Sequence, residues 1–203
     1  MKRRNYIVIF SCIIVIIAIL SLNNISSPSP IHKVSYFSFI DQYNNVFTTN
    51  ELKGKITISD FFFTSCPVIC PRMSEKMKEL AEIYKNDKNI QFLSISVDPA
   101  NDSKEVIKNY INTKNLNYSN WYFLETDSTI SRLLPEGFLL SGDNLPGMHP
   151  TKFILINYDG EIVGYYDPAI ESEFNILKNN ITYLLNSRLC LKTIYHLQNQ
   201  EYA

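Results

Sequence analysis

The segment 55–84 constrains the fold more than any other part of the chain. Lys55-Ile56-Thr57-Ile58-Ser59-Asp60-Phe61-Phe62-Phe63 is rich in β-branched and aromatic residues and predicts a strand. Thr64-Ser65-Cys66-Pro67-Val68-Ile69-Cys70-Pro71 follows. Met73, Met77, Leu80, Ala81 and Tyr84 then recur at helical spacing, which predicts a helix over 71–84. A buried strand thus delivers two thiols to the start of a helix, where free backbone N–H groups and the helix dipole favour thiolates. Their four-residue offset puts both sulfurs on one helix face, within reach of each other or of one metal ion. A disulfide across so short a loop removes only about 2 kcal/mol of unfolded-chain entropy, little for a structural staple. The pair is therefore assigned to chemistry, redox or metal binding.

The other elements follow in an order that places this junction in a sheet. Val34 to Ile40 alternates apolar and polar residues, and 41–45 forms a turn into Val46-Phe47. Gln91 to Val97 is mostly apolar, as expected for a strand buried on both faces of a parallel sheet. Asp102 and Glu105 are spaced as a capping box opening a helix, with Val106, Ile107, Tyr110 and Ile111 inward. Trp121 to Leu124 is a short strand, and Asp127 caps a brief helix through Leu134. Lys152 to Asn157 and Glu161 to Tyr166 flank Asp159-Gly160, a hairpin turn. Ile170, Phe174, Leu177, Ile181 and Leu184 mark a last amphipathic helix. Strands alternating with helices, then a hairpin and a helix, predict an α/β sheet covered on both faces.

The start of the chain sets the compartment. Lys2, Arg3 and Arg4 precede an uncharged stretch from Tyr6 to Leu22, with no small-x-small cleavage site at its exit. Residues 1–23 are expected to be a cytoplasmic basic start and an uncleaved membrane anchor, with everything after them outside. A cleaved signal peptide is the alternative, and Ile9-Phe10-Ser11 before Cys12 is only a faint lipidation signal. Residues 24–33, with Ser26-Ser27-Pro28-Ser29-Pro30, form a tether. Residues 34–187 form one domain and 188–203 a C-terminal tail. The first 23 residues carry three basic and no acidic groups, so the remainder is mildly acidic and offers no footprint for nucleic acid. In an oxidising compartment the two thiols pair unless a thiol reductant or a metal intervenes.

Of three histidines, His32 lies in the tether and His196 in the tail. His149 stands directly before a predicted core strand, held extended by Pro150. A lone histidine beside a strand is more often an ordinary surface or capping residue, but a loop entering a central strand can approach thiols at the edge of the same sheet. Two thiolates and an imidazole make a soft, low-coordinate set suited to copper, whereas structural zinc usually takes a fourth protein ligand. Met73, Met77 and Met148 are expected to pack, and Cys190 stands alone after the last helix.

Phe63-Thr64-Ser65-Cys66-Pro67-Val68-Ile69-Cys70-Pro71, Ser94-Ile95-Ser96-Val97-Asp98-Pro99 with Asp102, and a later histidine before an apolar strand resemble the SCO/SenC family. The resemblance spans about residues 34 to 187 and implies a thioredoxin-like fold behind a transmembrane anchor. It implies a copper chaperone that serves the CuA-bearing subunit of cytochrome c oxidase. The protein would be single-pass in the cell inner membrane, with its domain on the periplasmic side. Copper ligands carried over are Cys66, Cys70 and His149, with Asp98 in a loop beside the metal. Met148 stands where many relatives carry Asp, and Pro150 where many carry a polar residue. The alternative from another class is a thiol–disulfide oxidoreductase reducing a partner's cysteines with Cys66 and Cys70. Redox pairs of the thioredoxin type have two intervening residues, and the three here favour metal.

Overall fold

Among the described residues, eight strands and four helices are built around the predicted strand–helix junction. The computed structural model describes residues 28–200, and side chains to residue 188. The strands are β1 (His32–Lys33), β2 (Ser38–Asp41), β3 (Val46–Thr48), β4 (Ile56–Phe62), β5 (Ile90–Ser96), β6 (Trp121–Glu125), β7 (Phe153–Ile156) and β8 (Glu161–Tyr166). The helices are α1 (Ile69–Tyr84), α2 (Lys104–Lys114), α3 (Ile130–Gly137) and α4 (Glu171–Gln200), and a 3₁₀ turn spans Thr49–Leu52. The strands form one sheet in the order β1-β8-β7-β4-β5-β6-β2-β3. β4, β5 and β6 run parallel, joined by α1 and α2 as crossovers. The flanking strands are antiparallel, and β7–β8 is the hairpin turning at Asp159-Gly160, where Gly160 takes a φ of 77°.

Every residue of β4 and of β5 is buried, because helices cover both faces of the sheet. On one face α1, α2 and α4 pack Met73, Met77, Leu80, Ile107, Tyr110, Phe174 and Leu177 against Ile58, Phe62 and Phe92. On the other, α3 and the N-terminal strands pack Leu133, Leu134, Phe37 and Phe47 against Phe61, Leu93 and Ile154. Met73 and Met77 face inward as the helical spacing predicts.

The structure corrects two expectations about the second crossover. Ser103, not Asp102, caps α2, its side chain accepting from the Val106 N–H at 3.5 Å. Asp102 is drawn inside instead, where donors from other elements hold its carboxylate. Val106 is 40% exposed rather than inward, because the buried stripe follows Ile107, Tyr110 and Ile111. The brief helix expected to end at Leu134 continues to Gly137, with Pro135 inside it. No helix among the described residues is long and apolar enough to cross a membrane, and the expected anchor at 1–23 lies outside them.

Candidate metal centre

β4 ends at Phe62, and the next six residues turn off the C-terminal end of the sheet into α1. The Cys66 N–H donates to the Phe63 carbonyl at 3.2 Å, which closes the turn. Val68, at the helix N-cap, provides no side-chain cap. The Cys66 sulfur takes that part, accepting the Cys70 N–H at 3.3 Å. Cys66 thus sits just before the helix and Cys70 in its first turn.

This geometry separates the two thiols electrically. Burial pushes the Cys66 thiol up. The Cys70 N–H, the Cys70 thiol and the N–H groups of Val68 and Ile69 outweigh that and hold Cys66 below its ordinary value. Burial pushes Cys70 strongly up, beyond the ordinary thiol range. The Phe63 backbone opposes this, while the Cys66 thiol, its charge and that of Asp60 add to it. Cys66 is therefore the readily ionised sulfur, and Cys70 keeps its proton until something replaces it. Both are free thiols.

His149 arrives from the other side of the sheet edge, 79 residues on from Cys70, at the end of the turns that follow α3. Its Nε2 lies 3.4 Å from the Cys70 sulfur, and its Nδ1 lies 3.0 Å from the Pro150 carbonyl. A carbonyl only accepts, so Nδ1 carries the proton and Nε2 keeps its lone pair toward the thiols. Burial lowers the His149 pKa, against the backbone at Pro150 and Phe61, which favours the neutral imidazole a metal needs. The Phe63 ring meets the imidazole edge to face at 5.3 Å.

One donor atom from each of Cys66, Cys70 and His149 falls within 4.8 Å of the others, and all three residues are buried. Two sulfurs and one imidazole nitrogen suit Cu(I) and leave Cu(II) room for further ligands. Hard cations are poorly matched to this set, and no fourth protein donor completes a structural zinc site among the described residues.

The other sequence candidates are placed differently. Asp98 lies in the turn after β5, where Asn101 Nδ2 reaches both of its carboxylate oxygens at 2.9 Å. Met148 does not pack: it is 68% exposed, with the Asn144 amide at 3.9 Å from its sulfur. His32 touches the Glu136 carbonyl at 3.0 Å, away from the thiols. Sequence reasoning misses two buried acids. Asp60, in the middle of β4, accepts from Ser94 Oγ at 2.6 Å, and burial pushes its pKa up to about 7. An acid in the middle of a strand that reads as buried is the signal that could have found it. Asp102 reads as a helix cap instead, because Thr64, which takes up its carboxylate, lies 38 residues earlier.

The chain resembles known proteins over most of its length. The family model described as SCO1/SenC matches residues 26–183. The SCO1 protein homolog of Bacillus subtilis is 29% identical over 157 residues, 74% of this chain and 81% of that protein. Among solved structures, a SCO1/SenC family lipoprotein from Bacillus anthracis is 31% identical with a TM-score of 0.69, covering 77% of this chain and 98% of its own. BsSco, described as having a disulfide switch and as a member of the Sco family of cytochrome c oxidase assembly proteins, is 27% identical with a TM-score of 0.64. That match covers 77% of this chain and 95% of BsSco. Yeast Sco1 with copper bound shares the fold at 24% identity and a TM-score of 0.59, covering 73% of this chain and 86% of its own.

Proposed function

This chain belongs to the SCO1/SenC family, and from that membership we propose that it binds copper and delivers it to the CuA-bearing subunit of cytochrome c oxidase. The observation that carries the reading is the convergence of the Cys66, Cys70 and His149 donors within 4.8 Å, from two elements far apart in sequence. Copper binding displaces the thiol protons, and the displacement matters most at Cys70, where burial otherwise keeps the sulfur neutral. Release proceeds by ligand exchange: thiolates of the receiving subunit replace these donors stepwise, so bare copper never leaves. Val68 and Ile69, between the two cysteines, and Met148, beside His149, are exposed and form the surface a partner meets. Asp98 serves from the side, by holding the β5–α2 turn through Asn101.

A second reading rests on the asymmetry of the thiols. The Cys66 thiolate attacks a partner disulfide, forming a mixed disulfide and releasing one partner thiolate. Cys70, losing its proton, attacks the Cys66 sulfur and releases the second partner thiol. The chain is left as a Cys66–Cys70 disulfide, and a thiol reductant must supply two electrons to reset it. This is the oxidoreductase alternative, and it needs no histidine ligand.

His149→Ala separates the two readings. Cu(I) accepts two-coordinate sulfur, so the variant should keep a Cu(I) site while Cu(II) binding falls by about tenfold or more. Its disulfide exchange should be nearly unchanged, since that needs only the sulfurs and access. Copper titration of the anaerobic protein, with a thiol count and an oxidase-assembly assay, reads each arm. Copper affinity and assembly both unchanged would favour the oxidoreductase.

The delivery reading also places the domain outside the cytoplasm behind a single-pass anchor at 1–23, in the inner membrane. A reporter fused after residue 100 should be active if it works only outside and silent if it works only inside. The reverse pattern would remove the compartment on which delivery depends.

A further inference from the structure

We propose that Phe63 is a positioning residue for His149, its ring serving as the wall that keeps the imidazole Nε2 on the thiols. The proposal rests on the copper site described above, and it concerns a side chain that offers copper no donor atom. Phe63 meets the imidazole directly: the ring centroids lie 5.3 Å apart and the planes cross at 83°. This edge-to-face arrangement sets the positive rim of one ring against the negative face of the other. It therefore fixes the tilt of the imidazole as well as its place.

The two rings are held very differently. Before Phe63, the Phe62 carbonyl accepts the Val97 N–H at 2.9 Å, and after it the Thr64 N–H donates to Asp102 at 3.1 Å. The Phe63 side chain also packs against the cores on both faces of the sheet, so its ring stands on the fixed end of β4. The backbone bonds around His149 are local. Its N–H donates to the Pro146 carbonyl and the Met148 N–H to the Asn144 carbonyl, each at 3.2 Å and both within the same turn. The partner of Nδ1, the Pro150 carbonyl at 3.0 Å, is one residue away and travels with the ring it binds. β7 begins only at Phe153. Among the described residues, the side chains that meet the imidazole by hydrogen bond or ring contact are Cys70 and Phe63. Cys70 is a copper ligand itself, and a metal-bound histidine takes its orientation from groups outside the metal's own ligands. From the sheet, the Phe61 backbone and the Phe63 ring supply that support.

The test is Phe63→Leu in the full-length chain in detergent, which keeps an apolar side chain for both cores and removes the ring. The first readout needs no metal. In the reduced, metal-free protein with isotope-labelled histidine, assigned against His149→Ala, the nuclear Overhauser contact between the His149 ring protons and the Cys70 β-protons is measured. It should be present in the wild type and lost in Phe63→Leu. The second readout is copper. Cu(II) affinity should fall by about threefold to tenfold, the range an aromatic pair supplies, while Cu(I), held by the sulfurs, binds as before. In the His149→Ala background, Phe63→Leu should cost Cu(II) affinity nothing further, since a residue acting through the histidine has nothing left to act on. A ring contact that survives in Phe63→Leu or is absent from the wild type overturns the proposal. So do equal losses of Cu(I) and Cu(II), or an additive loss in the double variant, because Phe63 then serves packing alone. Should Phe63→Leu fail to fold, Phe63→Ile takes its place in every arm. Absence of copper binding in the wild type would refute delivery, yet the ring contact in the metal-free protein would still judge Phe63.

Discussion

Cys66→Ser combined with Cys70→Ser abolishes copper binding and leaves the fold standing. The variant retains His149 as the last donor of the three gathered at the site, and one imidazole cannot hold copper against competing ligands. Stability should change little in comparison. Cys70 is 1% exposed, so its new hydroxyl enters a buried place, but His149 Nε2 lies 3.4 Å from the atom it replaces and offers a partner. Burying a hydroxyl with such partial compensation costs about 1–2 kcal/mol. Cys66 is 8% exposed, and the serine oxygen can accept the Cys70 N–H as a conventional helix cap does. The measurement is copper bound per chain in the presence of a competing chelator, with circular dichroism as the control. Equal Cu(I) binding by the reduced wild type and the double variant would end the chaperone reading.

Whatever a local pattern carries is legible in the sequence. The aromatic run ending in Phe63 and the helical spacing from Met73 to Tyr84 mark β4 and α1, because each element's core face is written in its own periodicity. The two cysteines are four residues apart, so their proximity is a local fact as well. His149 needs one further step, the inference that a loop entering a central strand ends beside the thiols. In the structure the histidine and Cys70 meet across 79 residues. Asp102 marks where such reasoning stops. Its spacing to Glu105 fits a capping box, and nothing local reveals that Thr64, 38 residues earlier, takes up its carboxylate. Val106 goes astray for a smaller reason, since it borders the buried stripe of Ile107, Tyr110 and Ile111 without belonging to it. Met148 departs from expectation for another reason. Adjacent residues in an irregular turn point in opposite directions, and the buried position went to His149.

Asp60 should make the fold less stable as pH rises from about 4 to 7, opposite to the usual behaviour of a protein carboxylate. Its side chain lies on the same sheet face as Ile58 and Phe62, among apolar groups under α1. Burial raises its pKa from 3.8 to about 7 against the Ser94 hydroxyl and its own backbone, while Ser94 is itself committed as acceptor to Trp121 Nε1 at 2.9 Å. Below pH 4 the folded and unfolded chains both hold the Asp60 proton, and its contribution to stability is fully present. Between the two pKa values the unfolded chain has released that proton and the folded chain has kept it, so each pH unit costs about 1.4 kcal/mol. The loss across the window is on the order of 4 kcal/mol, complete once the pH has passed the folded value near 7. His149 acts with the opposite sign: its lowered pKa makes the fold gain stability as pH rises toward about 6.5, so the wild-type curve is a compromise. Asp60→Asn isolates the acid. Any fixed penalty from its amide shifts the whole curve, whereas the titration changes its slope. Urea unfolding of the reduced, metal-free protein at several pH values should show the variant gaining on the wild type by a few kcal/mol between pH 5 and 8. Parallel curves would mean that Asp60 is already ionised in the folded chain, stabilised by more than the Ser94 hydroxyl.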